Sequence, residues 1–313
     1  MVLITGGFGY LGGRVSEYLI NCGYRVRIGT SSKVPDSKEF NPSFEVASID
    51  LQDSLSLENA CKDVSIVIHL AAMNAQLCSQ DPFKAELVNV HGTSNLVNAA
   101  IKQKIKKFIY FSTAHVYCSP LQGKLNENSV PTPIHPYAKT HFLAENIIND
   151  ASNQELINGI VLRVSNGVGS PMHKDVNCWM LVCNDLCRQA ATNKIIKIKS
   201  SRFIERDFVA ISEISRLVEQ VIKTRDFKNG IFNLSSGSSI NLLDLAELVR
   251  KRTQKILGFN PKIKFETDKN LDSNSHEFLN LENLKLKNYG YEILPDITSE
   301  IDGLLKNCDK WFN

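Results

Sequence analysis

The chain has 313 residues, 43% of them of hydrophobic type, with a formal net charge of +3 and eight cysteines. That length and apolar share can bury a full core, as one large domain or two unequal ones. Lysines and arginines spread along the chain give no reason to expect nucleic acid or a membrane surface as partner, and no stretch approaches the roughly 18 apolar residues of a membrane span.

The first predicted strand starts at Val2 and leaves no room for a signal peptide. Eight cysteines without a secretory signal imply reduced thiols, so a cytoplasmic protein is expected. Cys178, Cys183 and Cys187 cluster without the C-x-x-C spacing or histidine pair of a zinc site. No metal is expected, and most cysteines read as small core residues. The short basic run Lys102 to Lys107 reads as a solvated helix end.

Val2, Leu3 and Ile4 form a short apolar run, a buried strand by pattern. Glycines follow at Gly6, Gly7, Gly9 and Gly12, and a helical pattern then opens with Leu11, Val15, Leu19 and Ile20. Strand, glycine-rich turn and helix in that order form the dinucleotide-binding fingerprint. One glycine makes the tight turn, one lets backbone approach a pyrophosphate, and one lets helix and strand pack closely. The pyrophosphate then meets the free N–H groups at the positive end of the helix.

Thr5-Gly6-x-x-Gly9-x-x-Gly12 resembles the extended short-chain dehydrogenase/reductase family, which includes nucleotide-sugar epimerases, dehydratases and ketoreductases. Gly7-x-Gly9-x-x-Gly12 also meets the general Rossmann spacing. The resemblance implies that Gly6, Gly9, Tyr10, Leu11 and Gly12 hold a nicotinamide dinucleotide.

Tyr24 to Ile28 reads as the second strand. Versions of the fold that bind NAD carry an acid near its end. Here the positions read Gly29-Thr30-Ser31-Ser32-Lys33, with no acid before Asp36. Small hydroxyl residues followed by lysine suit a 2′-phosphate, so NADP(H) is favoured over NAD(H); an ordinary polar turn is the plainer reading. Phe44 to Ile49 gives a third strand ending in Asp50-Leu51, which the resemblance places against the adenine. A short helix is expected at Leu55 to Cys61 and a buried parallel strand at Val64 to Ile68. The resemblance sets Leu70, Ala71 and Ala72 beside the cofactor and Asn74 toward the substrate. His69 reads as structural.

Asp81 to Gln103 predicts one long amphipathic helix with Leu87, Val90, Leu96, Val97 and Ala100 on its apolar positions; Asn89 within it reads as architectural. Phe108 to Phe111 is the next strand. Five strands alternating with helices predict an α/β fold, a doubly wound parallel sheet with right-handed crossovers. Ligands bind such sheets outside the carboxyl ends of the strands.

Ser112-Thr113-Ala114-His115-Val116-Tyr117 follows there and resembles the family's serine/threonine segment. The resemblance makes Thr113 the catalytic hydroxyl and turns His115 toward the substrate. Pro120 to Pro136 reads as a polar, proline-rich, substrate-facing loop. Tyr137-Ala138-Lys139-Thr140-His141 then opens a helix. The family carries tyrosine and lysine four apart on one helical face; the lysine holds the nicotinamide ribose and lowers the tyrosine pKa, and the tyrosine moves a proton. Here the fourth position is His141, while Lys139 faces another direction. Tyr137 and His141 are thus expected both as catalytic and as cofactor-binding groups, with activity changing as the histidine titrates near about 6.5.

Ile160 to Val164 is the sixth strand. In the Ser165 to Gly169 segment after it, the resemblance directs Asn166 to the sugar phosphates. The βαβ rhythm weakens from Ser170, which suggests an NAD(P)-binding domain at 1–169 and a mainly substrate-binding region at 170–313, some segments returning to the sheet. Trp179 reads equally as part of the nucleotide site of the substrate or as core. Ile195 to Ile198 alternates like a short strand. Arg206-Asp207-Phe208-Val209 resembles a family segment whose arginine clamps a diphosphate, a task suited to its planar fork. A helix at Ser212 to Lys223, a strand at Gly230 to Leu234 and a helix from Leu242 follow, and Glu277 to Tyr291 matches loosely.

The favoured reading is NADPH-dependent reduction of a nucleotide-activated keto sugar by Thr113 and Tyr137 with His141, in a homodimer. An NAD-dependent nucleotide-sugar 4-epimerase or dehydratase is the alternative. A cofactor-binding sensor that has lost its lysine is the reading from another class.

Overall fold

The computed structural model describes residues 1–31, 34, 43–266 and 278–313. Ser32, Lys33 and Glu277 lie outside the described residues. Seven strands form one sheet: β1 (Val2–Thr5), β2 (Val26–Thr30), β3 (Phe44–Ser48), β4 (Ile66–His69), β5 (Lys107–Thr113), β6 (Asn158–Val164) and β7 (Gly230–Leu234). Their order is β7-β6-β5-β4-β1-β2-β3, and all pairings are parallel. The chain runs outward from β1 to β3, then returns to β4 on the other side of β1. The strand order therefore reverses between β1 and β4, where such sheets open a ligand crevice.

The sheet is buried on both faces, which is why its central strands are continuously apolar rather than alternating. Val2, Ile4, Ile28 and Ile68 pack on one face against Val15 and Leu19 of the helix Tyr10–Asn21 and against Ile214, Leu217, Val218 and Val221 of the helix Ile211–Lys223. Leu3, Val67 and Phe108 pack on the other, against Leu57, Leu96, Val97 and Ile148. A third cluster lies outside the sheet, where Leu186, Ala190, Ile196, Leu245, Val249, Ile301 and Leu304 join the helices Val182–Asn193, Leu242–Leu257 and Thr298–Phe312. Ile195–Ile198 is a strand there, paired with Lys262–Phe265. Six cysteines, among them Cys178, Cys183 and Cys187, are buried. Among the described residues, no helix is long and apolar enough to cross a membrane.

Four expectations are corrected. β2 begins at Val26, not Tyr24, and carries Thr30 as its last residue. Tyr24 instead packs beside the core and donates its hydroxyl to Glu219 at 3.2 Å. The predicted long helix runs from Pro82 to Lys102 without interruption but is irregular: Pro82–Glu86 and Gly92–Lys102 are joined by one wide π turn at Leu87–His91. The extra residue in such a turn rotates the flanking faces, so Leu87 is 38% exposed while Asn89 points inward. Asn89 Oδ1 accepts from the Met73 amide at 2.8 Å and its Nδ2 donates to Thr140 at 3.0 Å, which is architectural work. Lys107 is no solvated lysine; its Nζ donates to the carbonyls of Val221 and Thr224 at the end of the helix Ile211–Lys223, where the helix dipole favours a cation. The 120–136 segment contains a short strand, Gly123–Leu125, paired with Leu279–Leu281.

Candidate active site

At the switch point the glycines form a cradle that admits no side chain. Gly6 has φ of +69°, and a Cβ on Gly12 would stand 2.2 Å from the Gly6 carbonyl oxygen. Gly9 caps the helix Tyr10–Asn21 with no side-chain bond, which leaves the first amides of the helix turned toward any anion in the cradle. A dinucleotide pyrophosphate fits this arrangement. Tyr10 reaches over the cradle, its hydroxyl bonding Gly167 O at 3.2 Å and Asn184 Oδ1 at 3.1 Å. Leu11 lies against Gly167. Both tie the cradle to the segment after β6.

The floor beside the cradle is β4 and its exit. His69, fully buried, accepts from the Thr5 hydroxyl at Nδ1 and donates from Nε2 to Thr93, whose own hydroxyl donates to Asn89 O. This chain of bonds fixes the ring as the Nε2–H tautomer. Burial holds its pKa down at about 3. Thr5 also accepts from the amides of Leu70 and Ala71, and the Ala71 backbone is so close to Gly6 that a Cβ there would stand 2.9 Å away. Ala72 is exposed beyond them. Thr30 and the exposed Ser31 close β2, Asp50 accepts from the Gln52 amide at 2.9 Å, and Leu51 packs against Gly92. Asp50 is thus partly committed to its own turn.

Thr113 ends β5 and is 5% exposed. Tyr137 enters from the helix Pro136–Asn153. Pro136 stands at its first position and His135 caps it, accepting from the Tyr137 amide at 3.1 Å while bonding Ser79 through Nε2 at 2.7 Å. The local sequence explains the start, because proline at the first helical position loses no hydrogen bond. Thr113 Oγ1 accepts from the His115 amide at 3.2 Å and lies near enough to the Tyr137 hydroxyl to favour its ionised form. The His141 ring stands edge-on to Tyr137 with centroids 4.4 Å apart. Lys139 is exposed.

Electrostatically the site is neutral around the tyrosine. Burial, with a contribution from Cys78, pushes the Tyr137 phenol up to about 12 against the opposing influence of the nearby Thr113 hydroxyl. Burial pushes His141 down to about 4. The expected titration of His141 near neutrality is therefore corrected: a ring 3% exposed stays uncharged, because burial strips it of water and no carboxylate among the described residues pairs with it. His141 Nδ1 bonds the Tyr110 hydroxyl at 2.7 Å, and its Nε2 is buried without a partner. That orphaned atom fits a ligand hydroxyl such as a ribose.

Arg206 lies on the strand Glu205–Ala210, its Nε buried without a partner and its pKa lowered by burial. Burial lowers His115 to about 4, helped by the nearby charge of Arg206. These two groups share one space. Asn166 is placed on the short strand Asn166–Val168 and donates to Asp207 O at 2.8 Å. Asn74 spends its Oδ1 capping the helix Ala75–Gln80. Trp179 is half-buried and packs against the third cluster. Its ring meets Trp311 and Phe312 edge-on at 6.2 and 5.1 Å, and its Nε1 donates to Lys174 O.

Sequence reasoning missed Tyr110, Thr5, His135 and the hub role of Asp207. The Asp207 carboxylate accepts from the hydroxyls of Ser165 and Ser236 and the amides of Ser236 and Gly237, fixing Arg206 beside it. For Tyr110, Thr5 and Asp207 the available signal was a polar residue inside an otherwise apolar strand; for His135 it was a polar side chain directly before the proline that opens the helix.

The model of the NAD dependent epimerase/dehydratase family matches residues 2–235, so the chain belongs to that family. A Methanocaldococcus jannaschii protein, named provisionally as a UDP-glucose 4-epimerase, is 26% identical over 253 residues, covering 80% of this chain and 81% of its own. The crystal structure of a Thermotoga maritima UDP-glucose 4-epimerase with UDP-glucose superposes with a TM-score of 0.81 at 21% identity, covering 100% and 99% of the two chains. That of the Thermus thermophilus UDP-glucose 4-epimerase in complex with NAD gives 0.81 at 19% identity, covering 98% of each.

Proposed function

We propose that the protein is an NAD-dependent nucleotide-sugar 4-epimerase. The observation that carries the reading is the buried Thr113 hydroxyl at the carboxyl end of β5 with the half-buried Tyr137 phenol close to it, beside a glycine cradle that fits a pyrophosphate. The epimerase names among its relatives support the same reaction. In this reading Gly6, Gly9 and Gly12 take the pyrophosphate, and His141 Nε2–H donates to the nicotinamide ribose. Thr113 orients the 4-hydroxyl of the sugar; Tyr137, which would have to be ionised first, as the positive charge of a bound oxidised nicotinamide would favour, would then accept that proton as phenolate and return it; and Arg206 with Asn166 and His115 takes the diphosphate side. The bound nicotinamide supplies the hydride chemistry. Residues 1–169 would form the cofactor half and 170–313 the substrate half, in a homodimer that sedimentation would detect.

A second reading, NADPH-dependent reduction of a keto sugar, draws on two observations. Thr30 and Ser31 close β2 with hydroxyls, and Tyr137 is held protonated, ready to give a proton. One experiment separates the two: mass spectrometry of the nucleotide retained on purification, followed by incubation with UDP-hexoses. Retained NAD and interconversion of the C4 epimers without net cofactor turnover support the epimerase. NADPH bound more tightly than NADH, and consumed on a 4-keto sugar, would replace it with the reductase.

A further inference from the structure

His141 is held from one side only. The Tyr110 hydroxyl, on β5, meets its Nδ1 at 2.7 Å, while Nε2 is buried with no partner. The contact is one rung of a ladder. Two residues along β5 from Tyr110, Ser112 bonds Glu145, four residues along the helix from His141. A strand advances about 6.6 Å over two residues and a helix about 6 Å over four. The rungs share one spacing, and the helix cannot slide without breaking both. Glu145 is anchored in turn by Arg163, which donates to both carboxylate oxygens.

The ladder also decides which nitrogen carries the proton. A neutral imidazole has one donor and one acceptor. The Tyr110 hydroxyl has no other hydrogen bond among the described residues, and a phenol is a better donor to a ring nitrogen than an acceptor from it. Nδ1 therefore accepts, and the proton sits on Nε2. A buried N–H without a partner is rare in a folded protein; here it lies beside Tyr137, where a ligand arrives.

We propose that Tyr110 is a positioning residue: by donating to Nδ1 it locks His141 as the Nε2–H tautomer and aims that N–H into the dinucleotide site beside Tyr137. A neutral, oriented tyrosine–histidine pair thus does the holding expected of a lysine, without its charge. This rests on the reading of the site as a dinucleotide site.

The test uses the whole protein. Ring-nitrogen NMR of histidine-labelled protein, with the His141 signals assigned by their loss in His141→Gln, should show Nδ1 as an unprotonated acceptor and Nε2 as N–H. Tyr110→Phe keeps the ring and removes only the hydroxyl. It should mix the tautomers and weaken NAD binding roughly tenfold, the share of one hydrogen bond to a buried group. In a His141→Gln background the same change should cost nothing further, since Tyr110 acts only through the histidine. An Nδ1–H tautomer in the wild type overturns the proposal, and that measurement stands even where Tyr110→Phe does not fold. Equal losses with and without His141 overturn it as well, making Tyr110 merely structural. Absence of any dinucleotide binding by the wild type would instead sink the functional reading, and with it the target of the N–H, while the tautomer still judges the Tyr110 lock.

Discussion

Replacing His141 by lysine tests the electrostatic account of the site most directly. Tyr137 is half-buried, stands 4.4 Å centroid to centroid from His141, and titrates at about 12 because its desolvation is offset by no cation among the described residues. A lysine ammonium at about 5 Å, in an effective dielectric near 20, is worth about 3.3 kcal/mol to the tyrosinate, or about 2.4 pKa units. The Tyr137 pKa should fall to about 10, and its ionised fraction near neutral pH should rise by more than about a hundredfold. The ammonium would not be orphaned, because the Tyr110 hydroxyl that now meets Nδ1 can accept from it. His141→Gln is the neutral control and should leave Tyr137 where it is. The assay is a near-ultraviolet titration of tyrosinate in each protein, with Tyr137→Phe identifying the transition, alongside the pH–rate profile of any turnover. The profile of His141→Lys should move to lower pH, and the wild-type profile should show no inflection near 6.5, since its histidine stays neutral down to about 4. A cooperatively folded His141→Lys protein whose Tyr137 titrates like the wild type would refute the reasoning.

Acid should unfold the protein steeply. His69, His115 and His141 have pKa values lowered by burial to about 3, 4 and 4, so below the unfolded value of about 6.5 the unfolded chain binds more protons than the folded one. Their contribution is intact above that pH and is lost as pH falls toward 4, at up to about 4 kcal/mol per pH unit for three groups; equal urea stability at both ends of the window would contradict it. Arg206→Ala should weaken UDP-hexose binding about 10- to 150-fold, the loss of a charge-assisted contact of roughly 1.5–3 kcal/mol, while dinucleotide binding holds and the His115 pKa rises. Loss of both ligands together would make the arginine structural.

The features legible in the sequence are those that repeat a local rule. Val2 to Ile4 had to be a buried strand, and Gly12 had to be glycine because any Cβ there strikes Gly6. Alternating strands and helices fixed the parallel sheet, and its carboxyl ends fixed where Thr113 would lie. The sequence was least informative where a residue's role depends on what the fold carries to it from far along the chain. Lys107 belonged to an obvious basic run, yet it caps a helix more than a hundred residues away. Leu87 fitted the apolar stripe until the wide turn around Asn89 rotated it out. His141 is the sharpest case. Its identity as a departure was visible, and its spacing from Tyr137 placed it correctly on the helix. Its charge was not visible, because that depends on burial between β5 and the helix and on Tyr110, thirty-one residues earlier on a strand that reads as simply apolar. An exposed histidine at this position would be a half-charged substitute for lysine near neutral pH. The buried one is a different device, a fixed neutral donor, and it leaves the ionisation of Tyr137 to be set by whatever charge the ligands bring.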